Sequence, residues 1–377
     1  MMGYVAVKGG GLAIENALKY VERERVKGGS SPIKIEQIGD QLHLAVDRVM
    51  GEGSLYAPGL AALAIKQAAG DMLEASFMVR AYRATLPRLG YSLARPTGNL
   101  RVIRRISSAF KDIPGGQILG PTSDYSLRLL DFSLKYETEE SYREWLRKFT
   151  DDAGLTPGEG RLESLPRVMD LLREEGLLEE PVVTPETQQI CDVTRDSLEF
   201  PAPRSAAMQA LARGETGGML CLAYSNMRGF GSVHPTIGEL RVGYLPVEVT
   251  NPITGEPYKV GEVKVTEAEI ISKGHGGRKG KPKFSMGYGI CFGHNETKAI
   301  SMAVLDRSIQ EEEPSAPSES QEFVLQHIDG IESMGFCNHF KLPHYVTFQS
   351  GLDRIRKART IILEKPQDII KTKEENA

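Results

Sequence analysis

The chain has 377 residues, room for two or three lobes, and its 40% hydrophobic and 25% charged residues are the balance of an ordinary folded protein. A formal net charge of −4 and a pI near 6.1 argue against a dedicated nucleic-acid binder, which is normally basic. No run of about 18 apolar residues is present, so no membrane-spanning helix is expected, and the opening MMGYVAVKGGG lacks the regions of a signal peptide. Cys191, Cys221, Cys291 and Cys337 are too widely spaced for a C-x-x-C pair. They imply reduced thiols in a cytoplasmic protein, without a zinc ribbon, iron–sulfur cluster or redox dithiol.

Tyr4–Val7 reads as a short strand and Lys8–Gly11 as a loop. A helix is predicted from Leu12 to about Val26, with Ile14, Leu18 and Val21 on one face. Ile35, Ile38, Leu42, Ala45 and Val49 recur at helical steps, predicting one amphipathic helix over about 34–50, with Gly51 and Gly53 marking a turn. Helices at about 57–68 and 71–86 follow, the second with Asp71 as its cap. Arg104 to Asp131 is a polar stretch rich in Gly and Pro, and 137–190 is charged and helical with breaks.

From about 239 the period changes to two. Leu240, Val242 and Tyr244 alternate with polar or small residues, Val260, Val263 and Val265 lie in a second run, and Asn251–Pro257 is the turn between them. Another strand is predicted at 284–292, then a helix at about 295–310, an acidic Pro/Ser linker at 311–320, and helices at 321–334 and 346–359. The chain is thus expected to be α+β: a helical N-terminal region followed by a strand-rich, antiparallel C-terminal domain with flanking helices. The expected divisions are 1–136, a variable helical lobe at 137–200, an α+β domain at 201–360 and a tail at 361–377.

Five stretches could carry chemistry. His339 and His344 flank Pro343. Five residues apart on a helix they would point about 140° apart, but Pro343 opposes a continuing helix and a loop would let the rings converge on one metal. Two unrelated polar histidines is the other reading. The stretch Arg104-Arg105 through Lys111-Asp112-Ile113-Pro114-Gly115-Gly116-Gln117 to Asp124 combines cations, glycines and acids. It suits either a triphosphate with magnesium or a turn with a surface salt-bridge set. Lys8 with the glycines after it reads as an anion-binding turn or a plain tight turn; a Walker A loop is absent. The basic, glycine-rich Lys273–Lys281 reads as a grip for phosphate or a partner's acidic surface or as a solvated hairpin tip, and Ala223–Gly231 as a nucleotide pocket or a helix end.

Several strings together resemble one family. Tyr4-Val5-Ala6-Val7-Lys8-Gly9-Gly10, Leu44-Ala45-Val46-Asp47-Arg48-Val49-Met50, Lys111–Gln117, Leu129-Leu130-Asp131-Phe132, Leu222-Ala223-Tyr224-Ser225, Gly287-Tyr288-Gly289 and Lys341-Leu342-Pro343-His344-Tyr345-Val346 resemble, in order, the I subunit (PhnI) of the bacterial carbon–phosphorus lyase core complex. The resemblance spans nearly the whole chain and is weakest over 137–200, 272–283 and 310–320. It implies a ribosyl-triphosphate transferase of phosphonate catabolism, in which methylphosphonate displaces adenine from MgATP to give α-D-ribose 1-methylphosphonate 5-triphosphate. Nucleosidase activity on ATP or GTP is implied for the subunit alone. Implied partners are the core subunits PhnG, PhnH and PhnJ and the ATPase-like PhnK and PhnL. Implied ligands are magnesium, carried with ATP, and zinc, held by His339 and His344. A non-catalytic scaffold role in the same complex is the alternative.

Breaking an N-glycosidic bond builds positive charge at the ribose, so the site needs a carboxylate there, a proton donor for the leaving purine and cations for the phosphates. From residue chemistry, Arg104, Arg105, Lys111, Gly115, Gly116, Gln117 and Lys8 are expected to bind the nucleotide, and Asp112 and Asp124 to be catalytic.

Overall fold

The computed structural model describes residues 10–153, 165–179, 190–273 and 282–364. It divides into two units, one formed by residues 33–331 and the other by residues 1–32 with 332–377. The strand expected at Tyr4–Val7, Lys8 and most of the 273–281 loop lie outside the described residues.

The larger unit is built on a four-stranded antiparallel sheet in the order β1-β2-β3-β4. These strands are Arg101–Ile106 (β1), Thr236–Thr250 (β2), Pro257–Lys273 (β3) and Phe284–Phe292 (β4). β2 and β3 form the expected hairpin, in register Leu240↔Ala268, Val242↔Thr266 and Tyr244↔Lys264. Its turn is closed by Asn251, whose Oδ1 accepts from the Ile253 amide at 2.9 Å. β1 is a finding that the composition of 104–131 hid: the stretch read as a polar loop begins as an edge strand, paired Arg104↔Val242 and Arg105↔Arg241. Its arginines mask the apolar alternation because their charges are met inside the protein.

Successive strand residues face opposite sides of a sheet. One face carries Leu240, Ala268, Ile270 and Cys291 against a helical core. That core is made by α8 (Arg204–Arg213), α9 (Thr216–Ser225) and α10 (Glu296–Ser308), with Ala207, Leu211, Met219, Ala299, Met302 and Leu305 all buried. The other face is ionic. Arg105 binds Glu239 at 2.6 Å, and Arg167 meets Glu239 at 3.2 Å and Glu269 at 2.6 Å. Arg241 pairs with Glu267, which also accepts from the Tyr288 hydroxyl at 2.7 Å. Buried charges are tolerated there because each is paired and hydrogen-bonded. α7 (Val168–Glu174) covers part of this face through Met169 and Leu172.

A helical layer precedes the sheet: α2 (Ile35–Gln41), α3 (His43–Gly53), α4 (Pro58–Gln67) and α5 (Met72–Thr85). Its core is Ile38, Val46, Val49, Met50, Ala61, Ala62, Ile65, Ala75 and Val79. Asp71 caps α5 as expected, accepting from the Leu73 and Glu74 amides at 3.0 and 3.1 Å. The helix expected over 34–50 is two, broken at Leu42 (φ −111°, ψ 34°). The turn expected at Gly51 and Gly53 comes later, at Ser54 (φ 57°), with both glycines inside α3 and Gly53 in tight packing. A Cβ on Gly53 would stand 2.6 Å from Val79 Cγ1. The helix expected at 321–334 likewise divides into α11 (Gln321–His327) and α12 (Gly330–His339). α6 (Glu139–Ala153) lies in the segment read as charged and helical.

The smaller unit contains α1 (Gly11–Val26), most of α12, and α13 (Tyr345–Glu364). Ile14, Leu18 and Val21 of α1 are exposed. No helix among the described residues is long and apolar enough to cross a membrane.

Candidate functional site

Arg104 and Arg105, expected to grip the same phosphates, point to opposite faces of β1. Both side chains are fully buried. Arg105 enters the ionic face, where it also donates to the carbonyls of Pro114 (2.6 Å), Gly116 (3.3 Å) and Pro166 (2.6 Å). The 111–117 loop therefore presents carbonyl oxygens to an internal cation. Gln117 closes the same loop, donating to the Lys111 carbonyl at 3.1 Å and accepting from the Ser107 amide at 3.3 Å. Lys111, Asp112, Gly115 and Gly116 are exposed.

Arg104 turns the other way, toward a cavity of about 630 Å³ lined by Arg48, Asp124, Tyr244, Lys264, His294 and Glu296, among others. Its guanidinium donates through Nε to Glu296 at 2.6 Å, through Nη1 to the Leu119 carbonyl at 2.6 Å, and through Nη2 to Asp124. One buried cation thus holds two carboxylates at the cavity wall. His294 Nε2 lies 3.0 Å from the same Glu296 oxygen. Burial opposes ionisation of Glu296, but the hydrogen bonds from His294 and Arg104 outweigh it and hold this carboxyl below its ordinary range.

Two further cations line the cavity, each ion-paired. Lys264 of β3 reaches Asp47 of α3 at 3.0 Å, and Asp47 also accepts the His294 amide at 2.9 Å. Arg48 donates through Nε to Glu52 at 2.9 Å and through Nη2 to Glu215. Asn295 caps α10 by accepting from the Lys298 amide at 3.0 Å, and its Nδ2 donates to Thr216 Oγ1 at 3.0 Å. That bond ties the starts of α9 and α10 together at the cavity rim. Two carboxylates, an imidazole and the ion-paired Arg48 and Lys264 thus stand around one hollow.

Of the expected site residues, Asp124 lines this cavity and Arg104 braces it. Lys111, Asp112, Gly115, Gly116, Gln117 and Arg105 are not brought to it. Sequence reasoning missed Arg48, Lys264, His294 and Glu296. A signal existed at His294-Asn295-Glu296, where a strand passes into a helix through an Asn cap and an acidic first turn. Arg48 and Lys264 come from elements far apart in the chain, and no spacing rule links them.

His339 and His344 belong to the smaller unit, where their ring centroids are 5.3 Å apart. His339 ends α12, and the break at Pro343 lets the rings approach. Their Nδ1 atoms bond backbone carbonyls, His344 to Leu342 at 2.6 Å and His339 to Phe336. That arrangement leaves both Nε2 atoms as acceptors, the form in which imidazole binds a metal. Among the described residues no third His, Cys, Asp or Glu joins them.

Residues 3–362 match the family described as bacterial phosphonate metabolism protein (PhnI). The chain belongs to this family. It is 46% identical over 361 residues to the α-D-ribose 1-methylphosphonate 5-triphosphate synthase subunit PhnI of Rhizobium meliloti (strain 1021), covering 94% of this chain and 95% of that one. The subunit of the same name from Escherichia coli (strain K12) is 42% identical over 362 residues, 94% of this chain and 98% of its own. HtxH of Stutzerimonas stutzeri, assigned by its name to the C–P lyase subunits, is 53% identical over 371 residues, 97% and 98% of the two chains.

Proposed function

We propose that this chain is a subunit of the α-D-ribose 1-methylphosphonate 5-triphosphate synthase of the C–P lyase system, and that its cavity is where the glycosidic bond is broken. Near-full-length identity to two synthase subunits supports the role. The observation that carries the site is the pair Asp124 and Glu296 held on Arg104 beside His294.

In this reading an oxygen of methylphosphonate attacks the anomeric carbon of MgATP as the bond to the purine nitrogen breaks. The carboxylates of Glu296 and Asp124 stabilise the positive charge that builds on the ribose. His294, hydrogen-bonded to Glu296, holds the proton that the departing adenine takes up. Arg48 and Lys264 anchor the triphosphate, whose binding energy orients the reacting carbon. Arg104 is assigned to fixing the two acids rather than to the phosphates. Water in place of methylphosphonate gives the nucleosidase reaction on ATP or GTP. The partner subunits are PhnG, PhnH, PhnJ, PhnK and PhnL, in the cytoplasm. His339 and His344 fit two of the ligands of a zinc ion, which would supply a fixed Lewis-acidic centre there, with its remaining ligands from outside the described residues.

The test is adenine release from MgATP and methylphosphonate by the assembled complex. His294→Gln and Glu296→Gln are each expected to lower the rate by at least about a hundredfold, and Asp112→Asn to leave it near wild type. Wild-type rates in Asp124→Asn, His294→Gln and Glu296→Gln together would remove the chemistry from this cavity.

A further inference from the structure

Glu52 does not line the cavity, yet its carboxylate reaches two residues that do. It stands one helical turn beyond Arg48 on α3 and is 1% exposed. Its Oε1 accepts from Arg48 Nε at 2.9 Å, from the Thr216 amide at 3.0 Å and from Thr216 Oγ1 at 2.8 Å. Its Oε2 lies 3.4 Å from the Ser76 hydroxyl on α5. Arg48 is held a second time, through Nη2, by Glu215, which caps α9 by accepting the Gly217 and Gly218 amides at 2.7 and 2.6 Å. Arg48 Nη1 has no protein partner among the described residues, and the side chain keeps 36% exposure.

A free arginine loses rotamer entropy when it binds an anion, and that cost weakens binding. Two carboxylates gripping the Nε and Nη2 of Arg48 remove the cost before a ligand arrives. A buried carboxylate is itself unfavourable unless several donors satisfy it, and Glu52 has them from Arg48 of its own helix and from Thr216 of α9. We propose that Glu52 is a positioning residue: through Arg48 it presets the guanidinium whose free Nη1 meets a phosphate oxygen of the nucleotide. The inference rests on the reading of the cavity given above. It assigns Glu52 to nucleotide capture and not to bond breaking, so its loss raises KM for ATP more than it lowers kcat.

A double-mutant cycle in the assembled complex separates this role from a purely structural one. Adenine release is measured against MgATP concentration for Arg48→Met, Glu52→Gln and both together. Arg48→Met is expected to raise KM by roughly tenfold, the scale of one charged hydrogen bond. Glu52→Gln should approach that value, and the double variant should not exceed Arg48→Met alone. Independent, multiplying effects would overturn the proposal, because Glu52 would then act other than through Arg48. An unchanged KM in Arg48→Met would instead count against the cavity as the nucleotide site, and the proposal would fall with it. Should Glu52→Gln not assemble, Glu52→Asp, which keeps the charge but shortens the reach to Arg48, takes its place in the cycle.

Discussion

Lys298 shows at the scale of one residue how tightly the site is built into its surroundings. It lies three residues past the cap of α10, only 1% exposed, and its Nζ has no hydrogen-bond partner among the described residues. Burial lowers its pKa from the ordinary 10.5, only partly offset by Cys291 and Glu52. The unfolded chain therefore binds more protons than the folded one between that lowered value and 10.5, so stability rises with pH across this window. Lys298→Met keeps the length and removes the orphaned amine, and should stabilise the fold by about 1–3 kcal/mol near neutral pH. The gain should shrink as pH climbs toward 10.5, which urea unfolding at several pH values would show. A gain that does not change with pH would mean that the amine's protonation is not what costs stability. The neighbouring Cys291 thiol is pushed up to about 11 by burial, so it is a packing residue rather than a nucleophile.

At the scale of elements, the decisive contact is α10 against β4. A Cβ on Gly287 would stand 2.0 Å from the Ala303 carbonyl oxygen, and one on Gly289 would stand 2.1 Å from that of Ala299. Helix backbone and strand backbone meet there, and no side chain can swing aside to make room. The Gly-Tyr-Gly string is a packing device, and it sets how the start of α10, with Asn295 and Glu296, is delivered to the cavity. Gly289→Ala should cost at least about 2 kcal/mol, since overpacking must move backbone. Gly59→Ala, in α4 with open space around it, should be neutral or stabilising by up to about 1 kcal/mol. Denaturant midpoints of the two variants, measured side by side, check this; an equally mild effect at both positions would contradict the packing account.

For the whole molecule, the cavity and the histidine pair belong to different units of the chain. The pair supplies two neutral nitrogens, too few for a closed zinc site. Zinc content of the purified assembled complex is expected to fall to background in a His339→Ala, His344→Ala double variant. It should persist in Cys337→Ser, because Cys337 is exposed and joins no metal-ligand cluster among the described residues. Zinc retained by the double variant would leave the histidines without that role.

Periodicity located part of the fold, but not β1, α8 or α9. The hairpin of β2 and β3, the strand β4 and the helices α4, α5 and α10 follow from alternation or helical spacing, because each buries one face and burial selects apolar residues at that period. The strings that resembled the family, from Tyr4–Gly10 to Lys341–Val346, carried it. Which arginine meets which carboxylate was decided only when β1 joined the sheet. Adjacent residues on a strand face opposite ways, so Arg104 came to the cavity and Arg105 to the ionic core. Arg48, Lys264, His294 and Glu296 met because packing folded α3, β3 and the start of α10 onto one hollow. The sequence by itself determined the periods and the family; the grouping of charges was left to the tertiary structure, because electrostatic partners are chosen by distance in space and not by separation along the chain.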